Sequence, residues 1–443
     1  MAKDIQGKGL AIASRFAGSQ FAEKHGLRKP AERFAYLATK AGFQVAGKFM
    51  AKKAKKPHAA PEPSDESQTK PKVVSDSYAK GIFDLSLTEE QQMIQDSVRA
   101  YAADVIRGLA HDADEAKALP ENFLEDSMAL GLNLFAVPES MGGAAQGYSP
   151  TTSAIIAEEL ARGDFTLATA ILAPVAVANA LVRWGTQAQQ ERWLPLWLAE
   201  SPVRAAIAVQ EQHPLFNANQ LATTAKLKGD RYELNGQKTL VPLGGKAQLY
   251  LVAAEFHGKS KLFIVPADSA GVSFKAEPAM GLRAAQTGTL TLDKVQVSSD
   301  ALLGGKEFDF HEFIQLGHLH WCALAVGTCQ AALDYSITYA NERIAFGEPI
   351  SHRQSVAFMI SNMAIELDAM RLMLWRAAAR AEAGADFTRE TYLTQLLCQE
   401  KAMQIGTDAV QILGGHGFTK EHPAERWYRD LRVLACITSG LHL

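Results

Sequence analysis

This sequence is short of net charge and of long uninterrupted apolar runs. Its 45 lysines and arginines nearly balance 48 aspartates and glutamates, which leaves a formal charge of −3 at pH 7. A nucleic-acid role therefore has no whole-chain electrostatic support. No run of about 18 uncharged apolar residues suggests a membrane span. At 443 residues the chain is nevertheless long enough for two or three structural units, each with ample apolar content for a core.

Cysteine is also scarce. The four cysteines show no CxxC spacing and lie in apolar helical patterns, at Cys322, Cys329, Cys398 and Cys436. We predict that they are reduced, buried packing residues in a reducing compartment, which favours a cytoplasmic location. We expect no metal site.

The N-terminal segment is basic and amphipathic. Residues 1–56 carry ten lysines and three arginines against three acids, with aromatic residues at roughly helical intervals. Two interpretations stay open: the segment lies on an anionic membrane surface, or it forms a solvated helical hairpin packed on its own protein. It lacks the continuous apolar stretch of a signal peptide. Residues 57–83 are rich in proline, serine and charge, which predicts a linker.

The hydrophobic period divides the rest of the chain into three units. A helical period begins near Thr88, where a capped helix start is expected, and predicts a helical domain over 84–201. Strand-like alternation over 202–304 predicts a β domain, with a hairpin turn at Asn235-Gly236. The helical period returns over 305–443. The predicted fold class is mainly α with a central antiparallel β domain between two helical domains.

Two motifs stand out in the last unit. The first, Asn341–Ala364, reads NERIAFGEPISHRQSVAFMISNMA and places Arg343 beside an aromatic residue and a glycine before a new helix. The second, Gln411–Phe418, reads QILGGHGF. Taken alone, Arg343 is more often a solvated helix-end cation than a ligand-binding residue, although such a corner can bind a phosphate.

Together the two motifs resemble the C-terminal domain of the acyl-CoA dehydrogenase family, whose helices carry E-R-x-x-F-G, then an F- or H-x-Q helix start, then Q-x-x-G-G-x-G. Further segments resemble the family in its own order: VPESMGG (137–143), AEELARGD (157–164), GTQAQQERWLPLWL (185–198) and MGLRAAQT (280–287). The resemblance covers roughly residues 84–443. It implies a three-domain, FAD-dependent oxidoreductase of fatty acid metabolism that dehydrogenates acyl-CoA thioesters between the α and β carbons.

The resemblance also implies that the catalytic base is missing from its two usual positions. Most members place a glutamate after an Arg-Asp pair, here Arg429-Asp430, and that position is Thr438. A few members place the base where this chain has Gly317. The acids upstream of Gly317, at positions 307, 309 and 312, fall out of register, although a shifted base from this group stays open. A lone loop histidine such as His213 is more often a polar surface residue than a base.

The flavin-binding loops of the β domain are altered as well. The family's T-E-P-G-A-G-S-D loop corresponds to QEQHPLFN at 210–217, and its W-I-T-N segment corresponds to LVPL at 240–243. The glycines, the serine, the tryptophan and the threonine that contact the flavin are therefore absent. Proline and bulky side chains are poor replacements where backbone must approach a cofactor closely.

The other half of the site is retained. In family dimers the flavin lies across the subunit interface, and the neighbouring chain supplies the C-terminal motifs. The residues of this half, which the resemblance implies as FAD contacts, are Arg343, Phe346, Gln354, Gln411, Gly414 and Gly415.

Three functions follow from this division. The favoured one is a non-catalytic subunit that shares FAD across the interface with a paralogous dehydrogenase. A second is a divergent homo-oligomeric dehydrogenase that acts on an acyl-CoA substrate and uses a catalytic base that the motifs do not identify. The third is a flavin-free scaffold or a membrane-tethered binding protein.

Overall fold

The structure is a computed structural model. It describes residues 86–437 except 146, 200, 214–215, 244 and 305–307. The predicted N-terminal extension and the whole of the predicted linker lie outside the described residues, as does Thr438.

The N-terminal part of the described chain is helical, and local capping explains where its helices begin. Ser149 accepts a hydrogen bond from the Thr152 amide and precedes a proline at the first helical position. Thr186 and Gln189 form a reciprocal capping box. The helices are α1 (Glu89–Tyr101), which continues through a π-helical turn (Ala102–Ile106) into α2 (Arg107–Ala116), then α3 (Phe123–Ser127), α4 (Leu132–Phe135), α5 (Pro150–Gly163), α6 (Phe165–Trp184) and α7 (Gln187–Trp193).

Helix α6 corrects the expectation about apolar runs. Its 20 residues include a window of mean hydropathy 2.0, so its length and composition would suffice to cross a membrane. However, 78% of that window is buried within the protein, where α6 packs against α5 and the first β-strand. An apolar helix that is buried on nearly all sides is a core helix, and α6 is best described as one.

The central domain is built on a seven-stranded sheet. Its strands are β1 (Ala205–Ala208), β2 (Thr224–Lys228), β3 (Arg231–Val241), β4 (Leu249–Phe256), β5 (Lys259–Pro266), β6 (Val272–Ala276) and β7 (Gly288–Ser298). The order is β1-β4-β2-β3-β7-β6, with β5 paired to β4. The pairs are antiparallel except β1 with β4 and the single contact of β2 with β4, which are parallel.

The predicted turn at Asn235-Gly236 is wrong. Strand β3 runs through this dipeptide, and the β2–β3 turn lies instead between Lys228 and Arg231. The register shifts at Gly236, and a Cβ there would lie 2.5 Å from Thr223 Oγ1. The glycine is therefore required by close approach at a bulge rather than by a hairpin turn.

The C-terminal part is a helical bundle. It contains α8 (Phe310–Glu342), a short hairpin of β8 (Ile344–Ala345) and β9 (Glu348–Pro349), α9 (Gln354–Glu382), α10 (Thr388–Leu413), α11 (Gly415–Phe418) and α12 (Ala424–Leu431). Helix α8 packs closely on α5, since a Cβ at Gly327 would lie 1.9 Å from the Glu158 carbonyl oxygen. The predicted fold class is thus confirmed. Three cysteines are buried as expected, but Cys436 is exposed.

A junction of buried charges joins all three regions. Asp114 of α2 accepts two hydrogen bonds from Arg429 of α12, at 3.0 and 2.7 Å, and one from Arg283 of the β domain at 3.1 Å. The neighbouring Asp430 is fully buried and accepts hydrogen bonds from the Leu282 amide at 2.8 Å and the Thr166 hydroxyl at 3.2 Å. Burial, together with the nearby Asp164, raises the pKa of Asp430 to about 7.

This pKa predicts a pH-dependent stability. Because the folded pKa lies above the ordinary 3.8, the contribution of Asp430 is complete at low pH and is lost as the pH rises through about 7. Between about pH 6 and 8.5 we expect the free energy of unfolding to fall by about 1 kcal/mol through this group. Denaturant titrations should show this fall in the wild type and not in Asp430→Asn. The exposed Asp368→Asn is the control, and an unchanged slope in Asp430→Asn would contradict the assignment.

Candidate functional site

The residues that the resemblance predicts as FAD contacts are centred on a tight hairpin between α8 and α9. Its strands pair Ile344 with Pro349 and Ala345 with Glu348, so Phe346 and Gly347 form the two-residue turn. The Ile350 amide donates to the Arg343 carbonyl at 2.9 Å, which closes the base of the hairpin. Helix α8 therefore ends just before Arg343, whose backbone is held in place by the hairpin.

Phe346 is held in an unusual conformation at the tip. Its φ is +57° and that of Gly347 is +87°, as a hairpin turn of this length requires. A left-handed conformation is unfavourable for a bulky residue, and the side chain gains little from its own chain because it is 96% exposed. Strain at an exposed aromatic residue indicates a ligand or a partner rather than a role in the core.

The second motif lies at the end of α10, close to the last turns of α8. Tyr339, one turn before Arg343, contacts both the Leu413 carbonyl at 3.4 Å and Nδ1 of His416 at 2.8 Å. Gly414 adopts φ +59°, ψ −129°, a conformation that favours glycine. No atom lies within 4 Å of a Cβ built at Gly414 or Gly415, so both glycines face open space.

All six retained residues are exposed in the single chain. The structure places Arg343, Phe346 and Gln354 on or beside the hairpin, and Gln411, Gly414 and Gly415 at the end of α10. Tyr339 links the two groups through its contacts with Leu413 and His416. A glycine corner with accessible backbone can bind a phosphate group, and so can an exposed arginine.

The altered loops of the β domain are fastened to their own domain. Glu211 accepts hydrogen bonds from the Ala222 and Thr223 amides at 2.7 and 2.9 Å and from Lys238 Nζ at 2.7 Å. Lys238 is fully buried, and this burial lowers its pKa to about 8. Burial raises the pKa of Glu211, but the Lys238 charge and the hydrogen bonds outweigh it, so the net shift is downward.

A second carboxylate ties the two altered loops to each other. Glu277 accepts hydrogen bonds from Gln212 at 3.0 Å in the first loop and from the Thr239 hydroxyl at 2.8 Å beside the second. The Thr289 hydroxyl and the Leu240 amide also donate to it. Glu277 therefore holds the two loops together by accepting hydrogen bonds from both of them.

The segment at 240–243 is packed inward. Val241, Pro242 and Leu243 are buried, and the Leu243 amide donates to the Ala285 carbonyl at 2.9 Å. Leu240 and Leu243 have φ of +53° and +59°. The segment therefore bends as a turn, and its side chains at 241–243 are buried, whereas Leu240 is half-buried.

The base remains unassigned. Gly317 is buried within α8 and carries no side chain. Asp309 caps α8 by accepting from the His311 and Glu312 amides, and Glu312 pairs with Arg183. Both acids therefore have structural partners, while Glu307 and Thr438 lie outside the described residues. His213 is exposed.

Sequence reasoning missed Tyr339, Glu277 and Arg353. Tyr339 lies four residues before Arg343, on the same face of α8, and this spacing could have indicated it. Arg353, which directly precedes Gln354, lies over the Phe346 ring with its guanidinium carbon 5.6 Å from the ring centroid. Glu277 had no local signal, because its partners come from distant segments.

Known proteins match this chain along most of its length. Models of the N-terminal, middle and C-terminal domains of acyl-CoA dehydrogenases match residues 88–201, 206–295 and 310–440. The chain is 32% identical over 363 residues to the mitochondrial short-chain specific acyl-CoA dehydrogenase of Bos taurus, covering 79% of this chain and 86% of the relative. It is 35% identical over 366 residues to a probable acyl-CoA dehydrogenase of Mycobacterium leprae, covering 80% and 92%. The butyryl-CoA dehydrogenase structure from Megasphaera elsdenii superposes with a TM-score of 0.74 at 27% identity, covering 81% of this chain and 96% of that one.

The buried Lys238–Glu211 pair yields a stability prediction. Lys238→Met leaves the buried Glu211 charge without its partner, so the free energy of unfolding should fall by about 3–5 kcal/mol. The double variant with Glu211→Gln should recover part of this loss. Lys228 is 58% exposed, and its partner Glu233 keeps a hydrogen bond from Gln296, so Lys228→Met should cost at most about 1 kcal/mol. Equal effects of Lys238→Met and Lys228→Met in urea denaturation would contradict the role of the buried pair.

Proposed function

The chain belongs to the acyl-CoA dehydrogenase family, and from this membership we propose that it is the non-catalytic subunit of a heteromeric flavoenzyme. The family consists of FAD-dependent oxidoreductases that act on acyl-CoA thioesters. In our proposal this chain completes the FAD site of a paralogous dehydrogenase subunit, which carries the catalytic glutamate and its own flavin-binding loops. Bound FAD would supply the acceptor for the hydride from the β carbon of the thioester.

The observation that carries the proposal is the contrast between the two halves of the site. On the β-domain side, Glu277 ties the two altered loops together, and the apolar side chains of 241–243 are buried. These residues do not fit a flavin ring. The glycines, serine, tryptophan and threonine of the family loops are absent, and the polar groups present, Gln212 and Thr239, already donate hydrogen bonds to Glu277. On the other side, Phe346 and the Gly414-Gly415 corner are open to an incoming molecule.

The residues of the open side fit the outer part of a dinucleotide. Arg343 supplies a fixed positive charge and up to two parallel hydrogen bonds to a phosphate. The glycine corner lets backbone approach the same molecule without steric hindrance. Phe346 offers an aromatic face that its own chain leaves uncovered. In the proposed complex this chain binds and orients, and the partner moves the proton.

Removal of the arginine tests this binding role. Arg343→Ala should strip FAD from the complex while this chain stays folded, because a buried phosphate contact contributes about 1.5–3 kcal/mol and an exposed arginine contributes little to stability. The ratio of flavin to protein absorbance in the purified complex measures the effect. Arg376→Ala, an exposed arginine of α9, is the control. Full FAD occupancy in Arg343→Ala would count against the proposal.

An activity assay separates the divided site from a divergent enzyme. Acyl-CoA-dependent dye reduction should be absent for the wild-type chain alone and for Thr438→Glu alone, because the β-domain loops still exclude the flavin. Turnover should appear when the wild-type chain is combined with a candidate dehydrogenase partner. Robust turnover and stoichiometric FAD in the wild-type chain alone would refute the divided site and establish the homo-oligomeric enzyme.

The N-terminal extension adds a separate prediction, since residues 1–56 are strongly basic. If they lie on an anionic membrane surface of the cytoplasm, each lysine near that surface contributes about 1 kcal/mol. The full chain should then sediment with anionic vesicles at low salt and be released at high salt. A chain lacking 1–56 should stay in solution, and equal sedimentation of the two chains would end this idea.

A further inference from the structure

We infer that Arg353 is a second cationic contact for the diphosphate of the dinucleotide that Arg343 serves, an inference that rests on the proposed function. Arg353 is one of the residues that the sequence motifs did not assign. The ligand chemistry is a dinucleotide diphosphate held in the partner subunit.

The hairpin ties the backbones of the two arginines to the same residue, Ile350. The Ile350 amide donates to the Arg343 carbonyl at 2.9 Å, and the Arg353 amide donates to the Ile350 carbonyl at 3.0 Å. Ile350 therefore holds both arginine backbones at the base of the same hairpin. Arg353 lies over Phe346 at the tip, and the ring is still 96% exposed. A cation on one face of the ring leaves the rest of it open to a ligand.

The charges around the hairpin leave both arginines available. Within the described part of the chain, Arg343 forms no ion pair, and Arg353 pairs only with Glu348 at 3.1 Å. Glu348 is shared with Nδ1 of His352 at 3.3 Å, and the side chains of Glu348 and Arg353 are 42% and 44% exposed. An exposed pair of this kind contributes about 0–1 kcal/mol, so a phosphate that forms a bidentate contact can displace the carboxylate.

The ion pair with Glu348 allows a binding role of Arg353 to be distinguished from a purely structural one. If Arg353 only stiffens the hairpin by pairing with Glu348, loss of either side chain has the same consequence. If Arg353 binds a phosphate, Glu348 competes with that phosphate and adds an unfavourable negative charge beside it. The two losses then act in opposite directions.

The test titrates FAD into the flavin-depleted complex of this chain with its dehydrogenase partner, followed by flavin fluorescence. Arg353→Gln should raise the FAD concentration for half-saturation about tenfold or more. Arg353→Lys should restore part of the affinity, since it keeps the charge and loses the planar fork. Glu348→Gln should lower the half-saturating concentration by about threefold and make it rise more steeply with salt, because the site becomes more positive. Arg376→Gln on α9 is the matched control and should leave it unchanged.

Each outcome decides between the alternatives. Opposite shifts for Arg353→Gln and Glu348→Gln support the inference. Weakening by both variants assigns the pair to hairpin structure and overturns it. If Arg353→Gln matches the wild type while Arg343→Ala loses FAD, this inference fails and the proposed function stands. If the wild-type complex itself takes up no FAD, both fail together.

Discussion

The buried charge junction at Asp114 is the interaction on which the arrangement of the described chain depends. One carboxylate receives two arginines, Arg429 from the last helix and Arg283 from the β domain, while it belongs itself to an early helix. Removal of charges from water is costly, and the attraction between them compensates only when the geometry is good and the hydrogen bonds are complete. Parallel bonds from Arg429 meet this condition. The helical and β regions must therefore meet in one relative orientation for the junction to form.

Within this arrangement, the two halves of the candidate site differ in the contacts that they make with their own chain. On the β-domain side, Glu211 and Glu277 accept hydrogen bonds from neighbouring backbone and side chains, so both carboxylates have partners within their own domain. On the bundle side, the hairpin stores an unfavourable φ at Phe346 and leaves its ring in solvent. One half of the candidate site thus contains a strained, exposed Phe346, and the other half contains carboxylates that already have hydrogen-bond partners. The proposal of a divided site rests on this difference.

Some local signals were reliable and others were overruled by packing. The change of hydrophobic period predicted the alternation of helical and β regions because burial of one face of each element requires that period. The Asn235-Gly236 turn failed because β3 is paired on both sides, with the Lys294 amide bonded to Asn235 and Thr223 pressed against the glycine. Cys436 was assigned to the interior by its apolar neighbours, but its side chain is exposed. Helix α6 was overlooked because threonine, asparagine and proline interrupt its composition, although its hydropathy is high.

The sequence alone determined the family resemblance, the fold class and the division of the motifs into retained and missing sets, because these depend on residue types at fixed spacings along the chain. Tertiary structure decided what the missing motifs had been replaced by. Glu277, Gln212 and Thr239 come from separate segments, and only the folded sheet brings them within hydrogen-bonding distance. It also decided that the Arg353 guanidinium lies near one face of the Phe346 ring, since that contact depends on how a two-residue turn folds the chain back between two long helices. Contacts of this kind are set by positions in space, which spacing along the chain does not specify.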